Sequence, residues 1–389
     1  MARVLFTSLP LTGHLNPTLA LAQTLGDQGH EVAWAVHEKT LRDRLPSGAR
    51  IYPIDSDYQP PVLGEKVRGL ESVRLFFEDY LLPLTEHALA PLEAAVRDFR
   101  PDVMAVDHQM LAGALVARKL DLPWVSLVST TASIVRLAPL LDAWVVEQYA
   151  AIQQRYLAPE NIVERPDFSP HSVLVFSIEA LLGSAHERIP APYAFVGPAV
   201  VGGARPDVAF PWEWLNDGRR AILITLGTVS RDRDHRFFDV MLEALREMPD
   251  LQAVMVAPEE LGKNAPDNVL VRPYVPQIDL LKRVAGVVCH AGHNTVCEAL
   301  SRGLPLVVAP IRDDQPVIAR QVIDAGAGLF VRHGKVSPAT ARTTIERMLS
   351  DPALAENAAR LARELNSAPG VAGAASIILK LAARENPCS

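Results

Sequence analysis

At 389 residues the chain is too long for one ordinary core and suits two domains of roughly 200 residues each. Apolar residues make up 49% and charged residues 21%, which excludes disorder, and 38 basic against 45 acidic side chains leave a net charge of −7, which disfavours nucleic acid as a partner. Backbone dipoles add nothing to formal charge, so an acidic chain can still hold a phosphate locally.

The three cysteines, Cys289, Cys297 and Cys388, have no framework spacing and point to a reducing, cytoplasmic setting. The apolar start from Val4 to Leu9 is interrupted by Pro10, His14 and Asn16 and lacks a small-residue cleavage site. Leu122 to Val146 contains Pro123, Arg136, Pro139 and Asp142, so no stable membrane span is expected.

Val4 to Phe6 reads as a first buried strand and Asn16-Pro17 as the opening of a helix, with Asn as cap and Pro at its first position. The loop from Ser8 to Leu15 lies between them. Glu31 to Val36 is the second strand of a βαβ unit, and Arg50 to Ile54 a third. Leu70 to Phe99 is a helical stretch bent or broken at Pro83 and Pro91. Asp102 to Asp107, a helix from Met110 to Leu120 and Trp124 to Val128 follow, and Ala132 to Leu157 has helical apolar spacing. Val173 to Ser177 and Ala194 to Val196 close the first half. Gly197 to Pro211, rich in Gly and Pro, reads as a linker.

The second half repeats the alternation without sequence repetition. Its strands are Ala221 to Leu226, Gln252 to Val256, Val269 to Val271, Gly286 to His290, Leu306 to Ala309 and Gly328 to Val331, with helices between and an Ala-rich last helix from Gly370 to Arg384. Alternating strands and helices predict an α/β chain with parallel sheets covered on both faces, and ligands at the strands' carboxyl ends.

The stretch from Val287 to Leu300 concentrates the chemistry. Apolar residues end a strand, and Gly292, Asn294 and Thr295 turn into a helix that Gly303 closes and Pro305 bars from resuming. Backbone N–H groups and a helix dipole then converge where an anion binds. Glu298, four residues beyond Asn294, shares its helix face. A structural turn is the plainer alternative. A metal site of Cys289, His290, His293 and Cys297 is a third, disfavoured because adjacent strand residues point opposite ways.

Taken in order, YVPQ at Tyr274 to Gln277, CHAGHNTVCEALSRGLPLVVAP at Cys289 to Pro310 and DDQ at Asp313 to Gln315 closely resemble the donor-binding signature of the UDP-glycosyltransferase superfamily. GHLNP at Gly13 to Pro17, LGT at Leu226 to Thr228 and VGP at Val196 to Pro198 are similar to that family's as well, so the resemblance spans nearly the whole chain. It implies a GT-B fold: two Rossmann-like domains facing across a cleft, an acceptor domain over residues 1–204, a donor domain over 205–369, and a last helix, within 370–389, packing back on the first domain.

Residue by residue, the resemblance implies that Tyr274, where the family usually has Trp, stacks on the base and that Val275 bonds its edge. Gln277 and Glu298 would hold the ribose, and Thr228, His290, Gly292, Asn294 and Thr295 the diphosphate. Asp314 and Gln315 would hold the sugar. His14 resembles the catalytic base, with Asp107 accepting its other N–H and His108 a weaker competitor. Phe76, Phe77, Tyr80, Met110, Leu137 and Trp144 give the acceptor side an apolar character.

The implied activity is inverting transfer of a hexose or deoxyhexose from a UDP- or TDP-sugar to a hydroxyl of a lipophilic small molecule. No metal or other cofactor is required, and the protein would be a monomer or homodimer. The competing functions are a catalytically silent nucleotide-sugar binder and a GT-B-fold nucleotide-sugar epimerase.

Overall fold

The structure is a computed structural model, and it describes residues 1–59, 70–183, 187–199, 208–215, 218–227 and 235–384. The chain divides into two compact units. One is formed by Met1–Ser177, His186–Ala204 and Ala368–Ser389, the other by Ile178–Ala185 and Arg205–Ser367. Cys388, Thr228 and most of the Gly- and Pro-rich stretch after Val196 lie outside the described residues.

In the first unit, β1 (Arg3–Thr7), β2 (Glu31–Val36), β3 (Arg50–Pro53), β4 (Val103–Asp107), β5 (Trp124–Val128), β6 (Val173–Val175) and β7 (Tyr193–Phe195) form a parallel sheet in the order β3-β2-β1-β4-β5-β6-β7. Period-two alternation sends Leu5, Met104 and Val106 to one core, with the helices Leu82–Phe99 and Leu111–Lys119. Val4, Phe6, Val103 and Ala105 go to the other, with the helix Thr12–Asp27. Both faces are dry, which is why β4 and β5 are apolar almost throughout and buried at every position.

The last helix, Gly370–Arg384, belongs to this second core through Ala374, Ala375, Ile378 and Leu381, and it packs on Thr12–Asp27. Gly370 at φ +63 begins it with its N–H on the Val196 carbonyl, 2.6 Å away. Pro352–Ala383 is the one stretch among the described residues long and apolar enough to cross a membrane. Within the fold, the inward face just named spends the apolar residues of its final part.

The second unit has β8 (Arg220–Thr225), β9 (Leu251–Val256), β10 (Val269–Arg272), β11 (Val287–Cys289), β12 (Leu306–Val308) and β13 (Gly328–Phe330), all parallel, in the order β10-β9-β8-β11-β12-β13. In each sheet the order reverses beside a central strand, between β1 and β4 and between β8 and β11. That is where a doubly wound sheet leaves a crevice at its carboxyl edge.

Two local expectations are corrected and a third is narrowed. The first helix starts at Thr12, so Pro17 is interior and His14 lies in the first turn instead of a loop. The N–H groups of His14 and Leu15 reach Leu11 O at 3.0 and 2.9 Å, while Asn16 accepts from Arg44 at 3.2 Å and is not a cap. A proline near a helix start forfeits only one ladder bond, and burial of Leu15, Leu19 and Leu21 offsets it.

Of the two outcomes expected of Leu70 to Phe99, a break is excluded: the helix runs on through a π-helical turn, Phe77–Leu81, just before Pro83, and Pro91 sits inside the helix that follows. Ala132 to Ala138 is not part of a long helix. Pro139 takes the first helical turn of Pro139–Tyr156, and only the short 3₁₀ turn Thr131–Ile134 precedes it.

Candidate active site

β1 and β4 are paired with Thr7 opposite Val106, so the chain leaving β1 passes directly over Asp107 at the end of β4. The turn into the first helix then carries His14 back to it. His14 Nδ1 lies 2.9 Å from Asp107 Oδ2 and 3.1 Å from Oδ1. The two residues joined are 93 positions apart in sequence, with 13% of the His14 side chain exposed and 2% of Asp107.

The carboxylate is held from all sides. Leu9 N–H donates to Oδ2 at 3.1 Å, Gln109 N–H to Oδ1 at 3.1 Å, and Ser8 Oγ stands 3.4 Å from Oδ2. Burial pushes the Asp107 carboxyl upward, but the imidazoles of His14 and His108 and the Leu9 N–H outweigh it and hold the group below the usual carboxylate range. Asp107 is therefore an anion, and His14 must turn a protonated Nδ1 toward it; two lone pairs at 2.9 Å would repel. Nε2 is then the basic atom of the ring.

His108 is deployed differently. Its Nδ1 faces Leu127 O at 3.2 Å and its Nε2 the Ser133 hydroxyl at 2.8 Å, and burial keeps its imidazole below the ordinary range. Both ring nitrogens are spent inside the protein, which leaves His14 as the better-placed base. Ser129 adds one contact that the sequence did not signal, with Oγ 3.3 Å from His14 Nδ1.

The apolar residues expected on the acceptor side sort by depth. Phe76, Phe77 and Trp144 are half-buried, with Phe77 and Trp144 edge to face at 5.7 Å, and Leu137 is exposed. Tyr80 and Met110 lie in the core beneath them, fully buried, and the Tyr80 hydroxyl has no hydrogen-bond partner among the described residues.

In the second unit Cys289 pairs with Thr225, so His290 and Leu226-Gly227 leave the sheet side by side. Ala291 at φ +65 and Gly292 at φ −64 turn the chain into the helix His293–Ser301, with Asn294 and Thr295 in its first turn. Gly303 at φ +71 ends it. Its N–H bonds Leu300 O at 2.9 Å and that of Leu304 bonds Ala299 O at 3.2 Å, which is a Schellman close.

The His290 imidazole is wedged between two glycines. A Cβ at Gly227 would stand 2.7 Å from Cε1 and 2.8 Å from Nε2, and one at Gly292 2.6 Å from Nε2. Burial lowers its pKa to about 4, so the ring is neutral at neutral pH. Burial also pushes the Cys289 thiol up to about 12, while Cys297 Sγ turns to His293 Nε2 at 3.4 Å.

The remaining donor-side residues take distinct places. Gln277 Nε2 donates to Glu298 Oε2 at 2.7 Å, so the two residues assigned to the ribose meet, and Pro276 is the capping position of the short helix that Gln277 opens. Tyr274 is 59% exposed, and Val275 follows it half-buried in the loop after β10. Asp314 occupies the capping position of Gln315–Asp324 but makes no side-chain cap bond. Gln315 Oε1 receives the N–H groups of Ile311 and Arg312 at 2.9 and 3.1 Å, which leaves its amide nitrogen as the outward donor.

A family of C-terminal domains described as erythromycin biosynthesis protein CIII-like matches residues 243–381. The demethyllactenocin mycarosyltransferase of Streptomyces fradiae is 29% identical over 400 residues, covering 97% of this chain and 86% of its own length. The crystal structure of the glycotransferase of kitacinnamycin matches with a TM-score of 0.82 at 26% identity, over 98% of this chain and 99% of that one. Spinosyn rhamnosyltransferase SpnG complexed with thymidine diphosphate shares the fold, with a TM-score of 0.76 at 23% identity over 97% of this chain and 99% of that one.

Proposed function

The chain belongs to the UDP-glycosyltransferase superfamily and has its GT-B fold, and we propose that it moves a hexose or deoxyhexose from a UDP- or TDP-sugar to a hydroxyl of a lipophilic acceptor, with inversion. It is a glycosyltransferase of the natural-product type, as its relatives are. The donor, the acceptor and the stereochemical course are our reading.

The single observation that carries the reading is the His14–Asp107 pair at 2.9 Å, an imidazole oriented by a saturated buried carboxylate. In the proposed step the acceptor hydroxyl gives its proton to His14 Nε2, and its oxygen forms a bond to the anomeric carbon. The bond from that carbon to the diphosphate breaks, and the electron pair leaves on the phosphate oxygen. Asp107 stabilises the imidazolium that forms. A single displacement turns an α-linked donor into a β-linked product.

Each described donor-side residue has a task that its placement supports. Tyr274 offers an exposed ring for the base, Val275 its backbone, and the Gln277–Glu298 pair the ribose. His290, Gly292, Asn294 and Thr295, with Thr228, meet the diphosphate as neutral donors and a helix N-terminus, and they stabilise the charge that develops on it. Asp314 and the amide nitrogen of Gln315 serve the sugar hydroxyls. Fixed dipoles do this work, so treatment with a chelator should leave turnover unchanged. Phe76, Phe77, Leu137 and Trp144 suit an apolar acceptor, which favours an aglycone over a free sugar. The cysteine usage points to the cytoplasm.

His14→Ala is the test. Turnover should fall by about 10²–10⁴-fold while nucleotide binding persists, with free nucleoside diphosphate and a glycoside mass gain as readouts. Undiminished turnover at saturating donor would remove His14 from the role of base. Nucleotide-sugar binding by the unaltered protein, with neither product formed on a broad panel of hydroxylated lipophilic acceptors, would favour a silent binder.

A further inference from the structure

The proton inventory around His14 leaves one hydrogen without a destination. Asp107 takes the Nδ1 hydrogen at 2.9 Å, so Ser129 Oγ, 3.3 Å from the same nitrogen, can only share that hydrogen as an acceptor. The serine hydroxyl cannot donate to a nitrogen that already carries a proton. Among the described residues His14 Nδ1 is the one hydrogen-bond partner of this oxygen, and Ser129 is 8% exposed. A buried hydroxyl whose hydrogen has no acceptor forfeits most of the worth of a hydrogen bond.

Ser129 is also firmly placed. It directly follows β5, whose register with β4 sets Leu127 opposite Asp107, and the next residue, Thr130, caps a 3₁₀ turn through its side chain. Further along that turn, Ser133 Oγ is bound to His108 Nε2 at 2.8 Å, and Arg165 reaches Ser133 O at 3.4 Å from its pairing with buried Asp167. The hydroxyl therefore cannot swing far from the rim of the imidazole.

We propose that Ser129 is an acceptor-binding, specificity-determining residue: its hydroxyl donates to a second oxygen of the acceptor, an ether, carbonyl or hydroxyl oxygen adjacent to the attacking one. An acceptor with two neighbouring oxygens satisfies both groups, one giving a proton to His14 and the other receiving the Ser129 hydrogen bond. A lone hydroxyl leaves the serine unsatisfied. This rests on His14 being the base, so the experiment includes that residue.

The test compares 2-naphthol with 3-methoxy-2-naphthol, which adds one ether oxygen beside the hydroxyl, in wild type, Ser129→Ala, Ser129→Cys and His14→Ala. Wild type should prefer the methoxy compound in kcat/KM. Ser129→Ala should lose roughly tenfold on it and stay within about twofold on 2-naphthol, with Ser129→Cys, a weaker donor of similar size, between. Thermal unfolding of the variants checks that they are folded. An equal fall on both acceptors, or a shifted acid limb of the pH–rate profile, would make Ser129 a positioning residue for His14 and overturn the proposal, as would the absence of any preference in wild type. Activity surviving in His14→Ala overturns the base assignment instead, and is read separately from the Ser129 ratio.

Discussion

Each sheet carries a histidine at the carboxyl ends of its central strands, and the two rings are treated in contrary ways. His14 turns Nδ1 to an ionised carboxylate that backbone N–H groups saturate, and it keeps a small exposed edge. His290 is packed between Gly227 and Gly292, its Nδ1 has no hydrogen-bond partner among the described residues, and its pKa is lowered to about 4 by burial. A ring paired with a fixed anion is equipped to gain a proton and be stabilised as a cation. A ring that burial keeps neutral is equipped to stay a dipolar donor. On the proposed reading the same residue type would serve proton transfer in one unit and leaving-group solvation in the other, with its surroundings deciding which.

The contrast breaks most visibly at the carboxylate. Asp107→Asn keeps the volume but removes the charge, and it can offer His14 Nδ1 an N–H as readily as a carbonyl, so the wrong tautomer becomes accessible. Turnover should fall by about 10²–10⁴-fold with donor KM nearly unchanged. A loss confined to donor KM would mean that the pair is not engaged in proton transfer.

The glycine wedge should break the other half, with a smaller effect and on the donor alone. Gly292→Ala adds a Cβ 2.6 Å from His290 Nε2 at an unstrained φ of −64, so the ring must move. Gly227→Ala makes a similar clash and also strains a backbone at φ +71, so it should be the worse of the two. Donor KM should rise by about 10–100-fold in either variant, with the acceptor KM preserved. Adding His290→Ala to Gly292→Ala removes the clash. Thermal melting should then show the two changes to be strongly non-additive, and additivity would refute the wedge.

Much of this contrast was legible before the fold was known, for reasons that differ by residue. β2 and β5 were readable to the residue because strands buried on both faces leave unbroken apolar runs between breakers. The Gln277–Glu298 meeting was foreseeable in kind, since both positions belong to one ordered signature. The start of the first helix was misread because Asn16-Pro17 is a sound cap signal, and the side chain that would have capped is drawn to Arg44, 28 residues away. The donors on Asp107 from Leu9 and Gln109 are backbone groups, which leave no mark on residue identity. Ser129 reaches His14 across 115 residues, so only the β4–β5 register could reveal it. Gly227 was visible within LGT, but its reason, the breadth of an imidazole, was not.

A milder perturbation sharpens the donor side. Glu298→Gln keeps the shape of the Gln277 contact but replaces its charge-assisted bond, 2.7 Å long, with a neutral one. Donor KM should rise about tenfold with kcat little changed. If the pair holds both ribose hydroxyls, the affinity lost for UDP should exceed that lost for TDP, whose sugar lacks one of them. Equal losses would move the pair away from the ribose.

The smallest effect is on stability and follows from the neutral ring itself. The His290 pKa is lowered from 6.5 to about 4 in the folded chain, so as pH falls the unfolded chain takes up this proton first. The stability concerned is whole above the unfolded value, is lost progressively between 6.5 and about 4, and amounts to roughly 1–3 kcal/mol given the partial exposure of the residue. Buried His108 is lowered too and adds loss of the same sign. In the ligand-free protein, His290→Asn should therefore shrink the drop in melting temperature between about pH 7 and pH 4.5 by a few degrees, leaving the His108 share in place. A drop as steep as in wild type would show that His290 is not held neutral by burial, and the contrast between the two histidines would then have to rest on hydrogen bonding alone.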